Sequence, residues 1–227
     1  WGSIARPLSQ HYQVISVDLR NHGRSPHSDS QTYAEMAGDL LTVLDALGLE
    51  QVHLLGHSLG GKVAMQFATR YPERLHTLIV VDMAMRAYAD AHTHLIDAML
   101  AVNLSQVHTR SEADKVLAAG IGDVMVRQFL LTNLVKIEGQ LQWRINLPAL
   151  KANDGDFQAA LAAHFEKPSL FIRGAHSDYV QANDVADIQR HFARAEFVTL
   201  QTGHWVHAEQ PQPFIEAVAH FLSCHTE

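Results

Sequence analysis

Short, nearly continuous apolar runs alternate along this chain with longer stretches whose apolar residues recur every three or four positions. The short runs are Tyr12–Leu19, Gln51–Leu55, Leu78–Val81 followed by Asp82, Ser169–Ile172 and Glu196–Leu200. Runs of that length without strict alternation predict strands covered on both faces. Between them, Met36, Leu40, Val43, Leu44 and Leu47 form one stripe of a helix over Tyr33–Leu47, with Gly48 as its stop. Ala64–Tyr71 predicts a second helix, ended by Pro72; Val185, Ile188 and Phe192 mark a third. Phe214, Ile215, Val218, Phe221 and Leu222 mark the last. Strand–helix alternation of this kind predicts an α/β fold with a mostly parallel sheet.

From Met83 to Lys167 the alternation stops. Helix formers dominate, Ser111 and Asp114 suggest a capping-box start, and Ile96, Met99 and Leu100 form one stripe. Val126, Phe129, Leu130 and Leu134 form another. The expected organisation is therefore a core of residues 1–83 and 167–227, with residues 84–166 as a mainly helical cap. This cap is inserted over the C-terminal strand ends, where Phe129 or Leu130 would line the mouth of a pocket.

Composition narrows the function. With 227 residues, 47% of them hydrophobic, the chain can bury one sizeable core. Seventeen Lys and Arg stand against 24 Asp and Glu, a formal charge of −7, and no basic run exceeds a pair. Nucleic acid is thus not an expected partner. No apolar stretch approaches the ~18 residues of a membrane span. Cys224 is the single cysteine, so no disulfide can form within the chain, which leans towards a reducing, cytoplasmic setting.

The candidate chemistry sits at Gly56-His57-Ser58-Leu59-Gly60, a G-x-S-x-G pattern after a predicted strand and before a predicted helix. A serine on so tight a turn projects its oxygen from the sheet edge, and side chains in place of the flanking glycines would clash. Leu59 would offer its backbone N–H to an oxyanion at the helix N-terminus. The plainer alternative is a glycine-rich turn with a capping serine. A base should follow the last strand, and Gly203-His204 does; His207 is its rival, three residues on.

GHSLGG, the loop DLRNHGRSP over Asp18–Pro26, RYPER ending at Arg74 and GHWVHAEQP over Gly203–Pro211 together resemble the α/β-hydrolase superfamily. WRINLPAL over Trp143–Leu150, with GHWVHAE, resembles the YbfF-type bacterial esterases more narrowly. The resemblance implies a serine esterase or acyl-CoA thioesterase that uses no cofactor and acts on a small acyl ester or thioester. Ser58 is then the nucleophile and His204 the base. In most relatives the acid lies three residues after a glycine that ends the penultimate strand. Here Gly174 puts Ser177 in that slot and Asp178 one residue late.

Asp82 directly follows Leu78–Val81, at the C-terminal edge beside the nucleophile strand, about one strand spacing (~4.8 Å) nearer Ser58. The YbfF-type esterases also carry an aspartate there. Asp82 is therefore the expected acid, with Ser177 as hydrogen-bonding auxiliary and Asp178 as runner-up. The family further has strands before Tyr12–Leu19 and a His-Gly loop giving a first oxyanion donor, expected upstream of Trp1.

Other signals are weaker. Asp90, His92, His94 and Asp97 alternate rather than converge, so no metal site is expected. Trp143 and Arg144 are expected to pack and orient the cap. Two rival functions keep the fold: a non-catalytic ligand-binding protein, and C–C bond hydrolysis or perhydrolysis.

Overall fold

The computed structural model describes residues 1–90 and 92–225. In chain order its elements are α1 (Gly2–Leu8), α2 (Tyr33–Ala46), β1 (Val52–His57), α3 (Leu59–Arg70), β2 (Leu75–Val81), α4 (Thr93–Leu100), α5 (Arg110–Leu117) and α6 (Val124–Leu131). There follow β3 (Leu134–Ile137), β4 (Gln140–Trp143), α7 (Leu147–Ala152), α8 (Asp154–Gln158), β5 (Ser169–Gly174), α9 (Ala182–His191), β6 (Ala195–Leu200), α10 (Val206–Glu209) and α11 (Pro211–Cys224). They form two compact units, Trp1–Val17 with Tyr33–Ala87 and Ala160–Glu227, and Asp18–Thr32 with Tyr88–Ala159.

The first unit is built on a parallel sheet of order β1-β2-β5-β6. β2 and β5 lie inside it, which is why LIVV and LFI are unbroken apolar runs: both of their faces are buried. Ile79, Val81, Leu170 and Ile172 pack with Phe214, Val218, Phe221 and Leu222 of α11 and with Ile4 of α1. β1 is an edge and is only partly buried over most of its length. α2 ends where Gly48 turns into the left-handed region (φ 65°), letting Leu49 N–H close on the Leu44 carbonyl at 2.9 Å. The predicted helices thus stand, with α3 opening earlier than expected, at Leu59.

Tyr12–Leu19 is the exception. It is not a strand: Val14, Ile15 and Val17 are 38, 41 and 43% exposed, and among the described residues no ladder pairs with the segment. Its apolar, β-branched residues suit a pleated strand, but a strand exists only through its neighbours. Among the described residues none pairs with the outer edge of β1.

The second unit has its own core of Ile96, Met99, Val107, Leu117, Leu130, Leu131, Leu134, Ile145 and Leu150. It is not wholly helical. β3 and β4 form an antiparallel hairpin, pairing Leu134 with Trp143 and Ile137 with Gln140. Glu138 and Gly139 both have positive φ (49° and 85°), the two-residue turn that suits the twist of such a hairpin. Trp143 packs against this core and donates from Nε1 to the Met99 carbonyl at 3.1 Å. Leu130 belongs to the same core, whereas Phe129 is exposed.

The N-cap of α5 is Thr109, two residues before the expected Ser111. Thr109 Oγ1 accepts from Glu112 N–H, and Glu112 accepts from His108 N–H. Asp114 instead pairs with Arg127 at 2.8 Å.

The loop after Asp18 also belongs to this unit. Asn21, fully buried and at φ 65°, donates to Gln31 and accepts from Ser28 N–H and Asn146 Nδ2. Gly23 favours glycine there through its φ of 55°, and a Cβ would also displace the Asp18 carboxylate.

Candidate active site

β1 ends at His57 and α3 begins at Leu59, so Ser58 makes the whole turn by itself. Its backbone lies at φ 53°, ψ −121°, a region that costs a non-glycine residue roughly 1–3 kcal/mol. Three hydrogen bonds hold it there. Ser58 N–H donates to the Val81 carbonyl at 3.1 Å, and the Ser58 carbonyl accepts from Gly61 and Lys62 N–H at 2.8 and 3.2 Å.

A Cβ at Gly56 would overlap the Gly60 carbonyl, so that glycine is a steric requirement. At Gly61 a Cβ would lie 3.1 Å from Met83 Cβ, which is tight. Gly60 differs from expectation: a Cβ there meets nothing within 4 Å. The close approach runs from the Gly60 backbone to Gly56, not from the Gly60 α-carbon.

Around Ser58 the sheet edge brings together residues far apart in the chain. His204 Nε2 is 3.0 Å from Ser58 Oγ, and His204 Nδ1 donates to Asp82 Oδ2 at 2.8 Å. Asp82 is 1% exposed and at φ 48°, leaving β2 in a sharp turn that swings its carboxylate towards β5. Its Oδ1 accepts Gly174 N–H at 3.0 Å, and its Oδ2 accepts the Ser177 hydroxyl. Each carboxylate oxygen therefore has at least one protein donor. Gly174 does a second thing: a Cβ there would overlap the Gly203 carbonyl, so only glycine lets the His204 loop close over the end of β5.

Asp178, the runner-up, is exposed, and it is its backbone carbonyl that is engaged, by Arg86 at 2.9 Å. His207 lies off the Ser58–His204–Asp82 line, stacked on Trp1 with ring centroids 4.5 Å apart. Burial pushes its pKa down to about 4, helped by His204. Leu59 opens α3, so its N–H belongs to the first helical turn, whose donors have no carbonyl one turn back.

Two neighbours of His204 gave little sign of themselves in the sequence. The Tyr179 ring stacks on His204, centroids 3.8 Å apart at 15°. Its N–H reaches Ser177 Oγ at 3.3 Å, so the segment after Gly174 touches both Asp82 and His204. His57 lies 4.6 Å from His204 by ring centroid and donates from Nε2 to the His204 carbonyl at 2.9 Å. Its place beside the serine was the only signal for it. Among the described residues no group of three or more His, Cys, Asp or Glu could hold a metal ion, and no helix is long and apolar enough to cross a membrane.

Residues 1–211 match the α/β-hydrolase fold family. The chain belongs to that family. Among its relatives, the mouse sn-1-specific diacylglycerol lipase ABHD11 is 37% identical, the match covering 98% of this chain and 76% of that protein. Esterase YbfF of Escherichia coli is 33% identical over 98% of this chain and 87% of its own length. Among solved structures, a marine microorganism esterase superposes with a TM-score of 0.94 at 37% identity, covering 97% of this chain and 89% of that one. The YbfF resemblance seen in the sequence is thus borne out, and the class shared by these family members is hydrolase.

Proposed function

We propose that this hydrolase cleaves a carboxylic ester, or the chemically similar acyl thioester, through an acyl-Ser58 intermediate. One observation carries the reading: Ser58 Oγ, His204 and the buried Asp82 carboxylate form a single hydrogen-bonded line with steps of 3.0 and 2.8 Å. A carboxylate can only accept from Nδ1–H, so the proton sits on that nitrogen and Nε2 presents its lone pair to the serine. His204 then takes the Ser58 proton as oxygen attacks the acyl carbon, and returns it to the leaving group. Asp82 holds the ring in that tautomer and stabilises the imidazolium. Leu59 N–H would meet the oxyanion, where one such donor is worth ~10² to 10³ in rate.

Relatives named as esterases and lipases favour an ester over a thioester. The test is covalent labelling with a fluorophosphonate probe alongside turnover of p-nitrophenyl esters and acyl-CoA. Wild-type protein should label and turn over esters faster, and Ser58→Ala should do neither. A folded wild-type protein that refuses the probe and both substrates would leave the ligand-binding alternative standing.

A further inference from the structure

We propose that His57 is a positioning residue: its Nε2–H, donated to the His204 carbonyl, fixes the main chain of the loop that carries the base. The inference rests on the reading of His204 as base and adds a residue to that site. His204's ring is held at both nitrogens, by Asp82 and Ser58, but ring bonds alone leave the backbone free to pivot. Elsewhere the loop is tied at Thr202, whose carbonyl accepts His176 N–H at 2.9 Å, and at Gly203, whose N–H donates to Glu209 at 2.8 Å. His57 supplies the tie at residue 204 itself.

The location is informative. His57 is the last residue of β1 and precedes Ser58, so the strand end that presents the nucleophile also grips the base's backbone. Movement of one would carry the other, keeping the 3.0 Å step between Ser58 Oγ and His204 Nε2. Small misplacements of reacting groups are costly in rate, up to ~10²-fold for about 1 Å.

The chemistry is equally constrained. A carbonyl only accepts, so the proton must be on His57 Nε2, and the neutral ring carries its lone pair on Nδ1. His204, Trp205 and His207 all face this ring, and the Asp82 carboxylate acts on it. Burial, then His204 and His207, pushes its pKa down to about 3, outweighing the opposite pull of Asp82 and of the bond to His204. A neutral His57 supplies a donor without placing a second cation beside the imidazolium that forms on His204 during acylation.

The test compares His57→Phe, which keeps a ring but loses the donor, with His57→Gln, which keeps a terminal N–H. The readouts are kcat, KM and the rate of fluorophosphonate labelling at Ser58. His57→Phe should lower kcat and labelling by about ten- to a hundredfold with KM little changed, and His57→Gln should recover most of that loss. Equal impairment of the two variants, or a His57→Phe enzyme at wild-type rate, overturns the inference.

Imidazole ¹⁵N NMR of the wild-type protein decides the matter even if His57→Phe does not fold. His57 should remain the neutral Nε2–H tautomer from pH 5 to 8; an Nδ1–H tautomer, or titration in that range, would sink the proposal. Wild-type protein that the probe never labels would instead remove the underlying hydrolase reading, and this inference with it.

Discussion

His204 Nδ1 lies 2.8 Å from Asp82 Oδ2 although 122 residues separate them. The contact exists because the Asp82 turn points its carboxylate at β5, and because Gly174 has no Cβ to block the His204 loop. The same carboxylate also accepts the Ser177 hydroxyl, so it is held from a second direction.

Asp82→Asn should therefore lower kcat by up to ~10⁴ with the fold intact, since an amide can present the wrong hydrogen-bonding face to Nδ1. Asp178→Asn should stay near wild type, because its carbonyl rather than its carboxylate meets Arg86. Steady-state kinetics of both variants, with circular dichroism as the folding control, decides between them. A large loss confined to Asp178→Asn would reverse the assignment.

Ser177→Ala removes one donor of several from the buried acid. A hydrogen bond to a charged group contributes roughly 1.5–3 kcal/mol. The expected outcome is a kcat reduced by about tenfold or somewhat more, well short of the Asp82→Asn effect. Equal losses in the two variants would mean that the serine does more than steady the carboxylate.

The two glycines of G-x-S-x-G should differ. Gly56→Ala drives a methyl into the Gly60 carbonyl and should destabilise by ~1–3 kcal/mol or more, with loss of activity as the elbow shifts. Gly60→Ala adds a methyl to open space inside a helix and should fold at least as well as wild type. Thermal unfolding of both variants checks the contrast.

Acid should destabilise the fold through His57 and His207, held near pKa 3 and 4 by burial against an ordinary 6.5. The unfolded chain binds protons there that the folded chain refuses, so their contribution is complete above pH 6.5 and declines as pH falls towards 4. Each such group steepens the decline by up to ~1.4 kcal/mol per pH unit. His207→Phe, which also removes a buried Nδ1 without a hydrogen-bond partner, should flatten the slope of melting temperature against pH between 6.5 and 4. An unchanged slope would assign the acid sensitivity to other groups.

In the second unit, Leu130→Ala should cost ~2–5 kcal/mol of that unit's stability, and Phe129→Ala much less. Urea unfolding followed by Trp143 fluorescence in a Trp1→Phe, Trp205→Phe background reads this locally, because the indole packs on the same core. Similar losses in both would place Phe129 in the core too.

Sequence alone determined what depends on local chemistry and on burial. Unbroken apolar runs reported β2 and β5 because both of their faces are covered, and Gly56-x-Ser58 before an amphipathic run reported the elbow because few residue patterns tolerate that turn. The place of Asp82 was legible too, since it directly follows an interior strand. What needed the tertiary structure depends on partners distant in the chain. Tyr12–Leu19 reads as a strand but pairs with no strand among the described residues; Leu130 and Phe129 share an apolar stripe yet one faces the core and the other solvent. His57 reaches the His204 carbonyl across 147 positions, a bond that no pattern near either residue encodes, because only the folded sheet brings the end of β1 against the loop after β6.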